Sequence, residues 1–579
     1  MEATTWMDCW QEMPDSILLY IFSFLEHSDL GQVVLTCKTW CRVTYDEHLW
    51  RDLVKKRWKL KGDLTSSEDS WRAEYKRLHY HLPVICSQEL EAHTDEVLDV
   101  SFSHSGDMFC TTSRDMTVKV WKLEGPEATL LFSDDVGLRL FWILTQYSCF
   151  NGDDSLLLVC GVKLPRFFTE DQDYDEPIGH GAIYSLEKNF QLVLVVPMDP
   201  PTLFGTWLDN VSCLGGYLNE ANNTVTVKKY KVPTDNLEIE DLYIDDFNNI
   251  PVCDVSAGET LFTFRGDPHH FMSLLLATMS FEPCPPSDSD IVSISSDKLK
   301  RTAEACSPNR GVAGTLCGEK MECRSSSFST VPREKRLKTS LANSDSQSSQ
   351  TLKSLYERND LENTVICEQS ATESVTKRKY VIFVTGQHTV IAIHEIRSDI
   401  RCDDKHEAAS EVNNQLRVDV PDYILNFKDI YVIGLCLSKD HRYLFFNSRK
   451  RMEHDVNDSW NLTLSEEIEI KAVDLQTLEI IPMAKLWGHK AFSSFPAWYI
   501  CIDVCEDYVV SGSEDAKGYV WDRRYGQLLS TLDHSTGVVN GVCFNPCNSE
   551  CLVTVGDDRT IKIWLSRNLH NKYTYKTQL

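Results

Sequence analysis

No stretch of this chain stays apolar for the ~18 residues a membrane-crossing helix needs; the best candidates, such as FQLVLVVPM, stop well short. Positive charge is also scarce, with 58 Lys and Arg against 86 Asp and Glu, a formal net charge of −28. Such a field repels phosphate backbones and anionic lipid heads, which excludes nucleic acid and membrane surfaces as main partners and favours basic ones. The opening MEATTWMDCWQEM carries acidic residues and no basic stretch before an apolar run, so no secretory leader is expected. The signatures of common catalytic sites are missing too: no GxxxxGK[ST] phosphate loop, no HExxH and no GxSxG. No zinc-type Cys/His pairing or cysteine with an evident base stands out. The 21 cysteines are odd in number and scattered among strand-like runs, the usage of a reducing compartment. A cytoplasmic location is expected, with the nucleus also open. Cys543, Cys547 and Cys551 recur every fourth residue but read as core thiols.

What is present divides into zones. Residues 8–54 carry a helical period, and residues 55–83 form a connector rich in Trp, Lys and Arg. From residue 84 short β-type runs alternate with turn residues, the rhythm of an all-β repeat protein. That rhythm stops over 283–378, where Ser, Thr, Lys and Glu dominate (SDSDIVSISSDKLKR, NSDSQSSQ). Such a segment cannot bury enough apolar area to offset its ordering entropy, so a disordered insertion is expected. The β rhythm resumes over 379–568 and leaves a tail at 569–579. Within the insertion, PREKRLK (Pro332 to Lys338) reads as solvated charge or a nuclear-import patch. Arg358, Leu361 and Asn363 resemble a destruction box, and the serines are candidate phosphorylation sites.

In MPDSILLYIFSFL, Ile17, Leu18, Ile21, Phe22 and Leu25 fall on one helical stripe, with Pro14 and Asp15 suited to the first turn. Ser28 is placed to cap a second helix, SDLGQVVLTCKTWCRV, and a third short element ends in Leu49 and Trp50. So small a helical unit needs cover from elsewhere, either the rest of this chain or another protein. Met13-Pro14, Ile17-Leu18, Ile21-Phe22, Leu25, Asp29-Leu30, Val33, Cys37-Lys38, Trp40 and Leu49-Trp50 together resemble an F-box, with Met13 in place of the usual leucine. The resemblance implies that Pro14, Ile17, Leu18, Ile21, Leu25 and Leu30 meet the Skp-type adaptor of a cullin ligase, while Val33, Trp40 and Trp50 hold the helices together.

Three segments repeat: residues 92–121, the run from Gly488 to Asp522, and residues 533–564. Each has a His, a short apolar strand, a small-residue strand ending in an acidic turn, and a strand ending in Trp. This is similar to the WD repeat, four strands making one propeller blade. His93, Ser113, Asp115 and Trp121 supply a buried hydrogen-bond chain in the first repeat, and His489, Ser513, Asp515 and Trp521 in the second. The third offers His534, Asp558 and Trp564, with Gly556 where a hydroxyl is expected, so a weaker network is anticipated. A set that recurs blade by blade is structural, not catalytic. Degenerate repeats fill the gaps and give seven or eight blades, and VICSQEL (84–90) is placed to complete the last one and leave no open edge.

The fold class expected is therefore mainly β: a WD-repeat propeller preceded by a small α-helical F-box and interrupted by the insertion. In that order the chain resembles the F-box/WD-repeat proteins. The resemblance implies a non-catalytic specificity subunit, without cofactor, that holds a protein substrate near a ubiquitin-charged enzyme on a cullin scaffold. Trp521, Asp522 and Arg524 (WDRR) are also similar to the WDxR motif by which some propellers dock on the damaged-DNA-binding-protein adaptor. In that reading Arg524 offers a guanidinium fork; in the plain one Arg524 is solvated and Asp522 finishes a turn. The alternative to the recruiter is a propeller scaffold whose helices pack internally.

Overall fold

In this computed structural model the described residues are 13–60, 66, 68–163, 178–200, 204–219, 222–233, 242–245, 250–253, 258–265, 272–281, 283, 377–386, 388–397, 418–427, 429–452, 463–481, 486–492 and 499–577. The insertion expected over 283–378 lies outside them apart from its end residues, and so do Arg358, Leu361, Asn363 and Pro332 to Lys338.

Among the described residues five helices come first: α1 (Asp15–Phe22), α2 (His27–Val33), α3 (Lys38–Val43), α4 (Glu47–Trp58) and α5 (Trp71–Tyr80). Pro14 precedes α1, and Asp15 in its first turn pairs with Arg42 of α3 at 2.6 Å. The expected second helix is broken in two, because Cys37 turns extended and its sulfur accepts the Trp40 N–H (3.5 Å) to start α3. Ser28 caps nothing; Glu26 precedes α2. The expected third element is longer than its Leu-Trp end suggested. Asp46 accepts the N–H groups of His48 and Leu49, and α4 then runs for 12 residues to Lys59, which turns left-handed. The apolar faces close on Leu18, Phe22, Leu30, Val43, Leu49, Trp50, Val54, Tyr75 and Leu78. Trp50 is held by its indole N–H to the Thr44 carbonyl (2.6 Å).

Among the described residues seven sheets follow, antiparallel apart from one added strand, and these are the blades. Their first and last main strands are Val97–Phe102 and Glu127–Asp135, Trp142–Phe150 and Gln191–Pro197, Thr206–Asp209 and Glu259–Arg265, Met272–Met279 and Tyr423–Asn426, Ile430–Leu437 and Glu479–Ile480, Ile502–Val504 and Leu528–Asp533, and, in blade 7, Val539–Asn545 with Ile561–Ser566. Pro83–Leu90 supplies the fourth strand of blade 7, antiparallel to Ile561–Ser566 with Ile85 opposite Leu565 and Leu90 opposite Ile561. Blade 2 is widened by Ile250–Cys253, which pairs in parallel with its outer strand at Val252 and Val195, and by the hairpin strand Leu242–Asp245. The strand near residue 244 therefore enlarges an existing blade. Arg378–Thr385 pairs with Met272–Met279, so the insertion leaves and re-enters between neighbouring strands of blade 4. A short helix, α6 (Val136–Leu140), links blades 1 and 2, and residues expected as a tail form α7 (Arg567–Thr577).

Helices and ring meet on blade 6, where Tyr525 and Leu529 pack on the helical core. Arg77 of α5 is buried there between Glu74 (2.6 Å) and Asp522 (2.7 Å), with Asp507 at 3.4 Å. The Tyr508 hydroxyl donates to the Arg77 carbonyl (2.8 Å). Burial alone would lower the Arg77 pKa, but Asp522 and Glu74 outweigh it and hold the guanidinium charged.

Candidate functional site: an apolar helical face and a pinned propeller turn

Helix α1 is apolar all round (Ile17, Leu18, Leu19, Tyr20, Ile21, Phe22), so burying one side leaves another bare. Leu18 and Phe22, one turn apart, enter the core, and Leu30 of α2 joins them. Leu18 and Leu30 are 0% exposed, so the expectation that they form an adaptor-facing surface is corrected: this chain's own helices already cover them. The opposite stripe is bare. Ile17, Tyr20 and Phe24 are 47%, 66% and 65% exposed, and Leu35 is 79% exposed. Pro14 is exposed as well, with Ile21 and Leu25 half-buried beside them. The rings of Tyr20 and Phe24 meet edge to face at 5.0 Å. The sequence expectation does not include Tyr20, Phe24 and Leu35, because it assigns one stripe of α1 to both core and partner; the unbroken apolar run from 17 to 22 is the signal that points to a second face.

In blades 1 and 7 the hydroxyl of the network stands two residues before the position the repeat pattern points to, on the same face of the strand. In blade 1 the Trp121 indole N–H donates to the Thr111 hydroxyl (3.0 Å), which stands 2.9 Å from Nε2 of His93, and Nδ1 of His93 stands 3.0 Å from Asp115. Ser113, expected as the hydroxyl link, instead donates to the carbonyls of Asp95 and Glu96 and accepts the Asp115 N–H. Blade 7 repeats the chain in full: Trp564 to Thr554 (2.8 Å), Thr554 to His534 (2.8 Å) and His534 to Asp558 (3.0 Å). Gly556 therefore weakens nothing. A Cβ at that position would sit 2.5 Å from the Val538 carbonyl oxygen, so glycine serves close packing there. For Asp115 and Asp558 burial alone would raise the pKa. Hydrogen bonds from His93 and His534, from the Thr117 and Thr560 hydroxyls and from backbone N–H groups hold both carboxyls well below the usual range.

Blade 6 departs from the expected set. Asp515 accepts from the Tyr519 hydroxyl (2.7 Å), not from His489. Nε2 of His489 faces Oδ1 of Asn447 at 3.3 Å, while Trp521 donates to the Trp487 carbonyl and Ser513 to that of Lys490. Nδ1 of His489 and Oδ1 of Asp515 are buried without a partner. Lys517 stands where Thr117 and Thr560 bridge His and Asp in the intact blades, and Asn447 occupies the Ser511 hydroxyl. Burial pushes the His489 imidazole down to about 3.

Of Trp521, Asp522 and Arg524, only Arg524 is exposed. Trp521 and Asp522 are buried, and Asp522 accepts the N–H groups of Arg524 (3.0 Å) and Tyr525 (2.6 Å) as well as Arg77. The docking role expected of Trp521 and Asp522 is thereby corrected, because α5 sits over their turn, whereas Arg524 is exposed. Asp522 finishes the turn and pins the connector. Of the spaced cysteines, Cys551 is buried and Cys543 half-buried, but Cys547 is exposed in a turn, so it is no core thiol.

On the propeller axis a cavity of about 610 Å³ is lined by Asp99, Ser148, Cys149, Cys436, Cys501 and Asp503, among others. Burial pushes Asp99 up to about 7 against the hydrogen bonds from Ser148.

A helical adaptor-type head fixed to a seven-bladed WD propeller defines a class, the F-box substrate-recognition adaptors. The F-box-like family model matches residues 10–56, and the WD domain, G-beta repeat model matches 85–122 and 526–564. The chain is 31% identical to F-box/WD repeat-containing protein 5 of Homo sapiens over 96% of this chain and 94% of that protein. It is 29% identical to the Mus musculus protein of the same name, over 96% and 93%. GID complex subunit 7 of Schizosaccharomyces pombe is 30% identical over 33% of this chain and 32% of its own length. The chain belongs to the family of F-box/WD repeat-containing proteins.

Proposed function

We propose that this chain is the substrate-recognition subunit of a Skp/cullin/F-box ubiquitin ligase, promoting ubiquitination and proteasomal degradation of the proteins its propeller holds. The observation that carries this reading is the bare stripe of Ile17, Tyr20 and Phe24, with Leu35 exposed as well, on a helical unit whose core is otherwise closed. An apolar face of this kind fits a partner helix or groove better than water. A Skp-type adaptor seated there ties the propeller to the cullin, and catalysis is then proximity within the complex. With this reading goes a cytoplasmic location, the nucleus also open.

The test is co-purification of the full chain with a Skp-type adaptor. Ile17→Asp combined with Phe24→Asp is expected to abolish capture while leaving the thermal midpoint within a few degrees of the parent, since both side chains already face solvent. Capture undiminished in the double variant would reject this face and leave the plain scaffold. A second dock, on the damaged-DNA-binding-protein adaptor, keeps support from the exposure of Arg524 alone. Arg524→Ala is expected to weaken capture of that adaptor without touching Skp capture; equal capture by parent and variant removes the second dock.

A further inference from the structure

In a chain of net charge −28, positive charge is enriched in two stretches of the sequence. Residues 51–82 hold nine Lys and Arg against five Asp and Glu, and residues 567–579 hold three Lys and Arg with no acid. Two of these arginines converge on His79 of α5. Arg57, near the end of α4, places Nη2 3.2 Å from Nδ1 of His79, and Arg567, at the start of α7, donates to the His79 carbonyl (2.9 Å). The His27 ring lies edge to face on His79 with centroids 4.5 Å apart. The four basic groups thus come from four helices.

Ordinary structural reasons cover only part of this. A cation in the last turn of α4 suits the negative end of that helix, which explains Arg57. Arg567 occupies the first turn of α7, the positive end, where a cation is disfavoured. The carboxylate at that end, Glu550, is taken by Ser566, Asn568 and His81. Glu26 and Asp29 act on His27 from beside it in the chain, and Glu26 acts on Tyr75. Among the described residues neither Arg57 nor Arg567 forms an ion pair with a carboxylate. The cluster pays for this in its titration: burial first, then Arg57, Arg567 and His27, push His79 down to about 3, and burial followed by Arg57 lowers Arg567. A group that supplied negative charge between the guanidiniums would relieve all of these repulsions at once. Arg57 is solvent-exposed and Arg567 half-buried, so such a group can enter from water.

We propose that Arg57, Arg567 and His79 form a binding site for a phosphate dianion at the seam of the F-box helices, the connector and the C-terminal helix. The guanidinium forks match the tetrahedral oxygens, and two of them from separate helices turn the anion into a clasp between α4 and α7. The same chemistry is offered by a free phosphate and by a phosphorylated side chain.

The experiment follows the thermal midpoint of the full chain in increasing inorganic phosphate, and separately in O-phosphoserine, with ionic strength held constant by KCl. A saturable rise is expected for the parent. Arg57→Gln and Arg567→Gln, each checked for parental circular dichroism, are expected to raise the half-saturating concentration about tenfold or more, the weight of one charge-assisted hydrogen bond. Saturation with phosphoserine at lower concentration supports the site with a phosphorylated chain as its source; saturation by inorganic phosphate alone supports it with the free ion. No saturable rise with either probe, or an unaltered curve in both variants, overturns it. Neither residue lies on the α1 stripe, so loss of this site leaves Skp capture as a separate question.

Discussion

At the residue scale, the decisive feature of the repeats is the threonine two places before the expected hydroxyl. Thr111 and Thr554 each receive an indole N–H and face an imidazole nitrogen, so a single oxygen joins two otherwise unpaired buried groups. Asp115 and Asp558 complete the chain with depressed pKa values, and this fixes the sign of a pH effect. A carboxyl whose folded pKa lies below its unfolded value of ~3.9 contributes stability that is present above that value and is lost as pH falls toward the folded one. Urea unfolding at pH 7, 4 and 3 is expected to show this loss in the parent. Asp115→Asn with Asp558→Asn should cost about 1–3 kcal/mol per site at pH 7 and flatten the acid dependence. An acid dependence as steep in the variant as in the parent would count against these carboxyls as its source. Asp515→Asn serves as the internal contrast, since its partner is Tyr519 and not a histidine.

At the element scale, α5 is the joint of the molecule. It buries one guanidinium among Glu74, Asp522 and the more exposed Asp507, and the attraction must offset the desolvation of all of them. Arg77→Leu would leave two fully buried carboxylates without their shared cation, for which a loss of about 3–5 kcal/mol is expected. Limited proteolysis should then release the helices from the ring before the ring itself is cut; cleavage indistinguishable from the parent would mean the seam is held by Tyr525 and Leu529 instead. The same element explains why WDRR misled. Trp-Asp is an ordinary blade ending, and nothing local says that a helix more than 440 positions earlier covers it.

At the scale of the whole molecule, the ring is closed by the strand that directly follows the helices. Pro83–Leu90 covers the edge of Ile561–Ser566, so the first and last parts of the propeller share one sheet. Without it blade 7 would offer unpaired backbone groups to other chains. A chain beginning at residue 91 is expected to aggregate and to lose its single sharp unfolding transition, as read by light scattering and calorimetry. A monomer that melts cooperatively would show that the closure is dispensable. The path of the chain also puts head and closure together, since the connector leads straight from α5 into the closing strand.

Local pattern was enough for the fold class: helical period then β rhythm, the F-box spacing, the His-to-Trp repeats, and a propeller whose count the structure settles at seven. It was enough because periodicity records which side of an element is apolar. It could not say which apolar residues meet one's own chain and which meet water. Leu18 and Ile17 are neighbours of equal hydrophobicity, and only the packing of α2 through α5 makes one core and the other surface. The networks show the same limit, since a hydroxyl at 111 or 113 satisfies the pattern equally and the strand geometry picks one. The convergence of Arg57 and Arg567 on His79 joins residues some 500 positions apart, and that proximity exists only once the ring has closed.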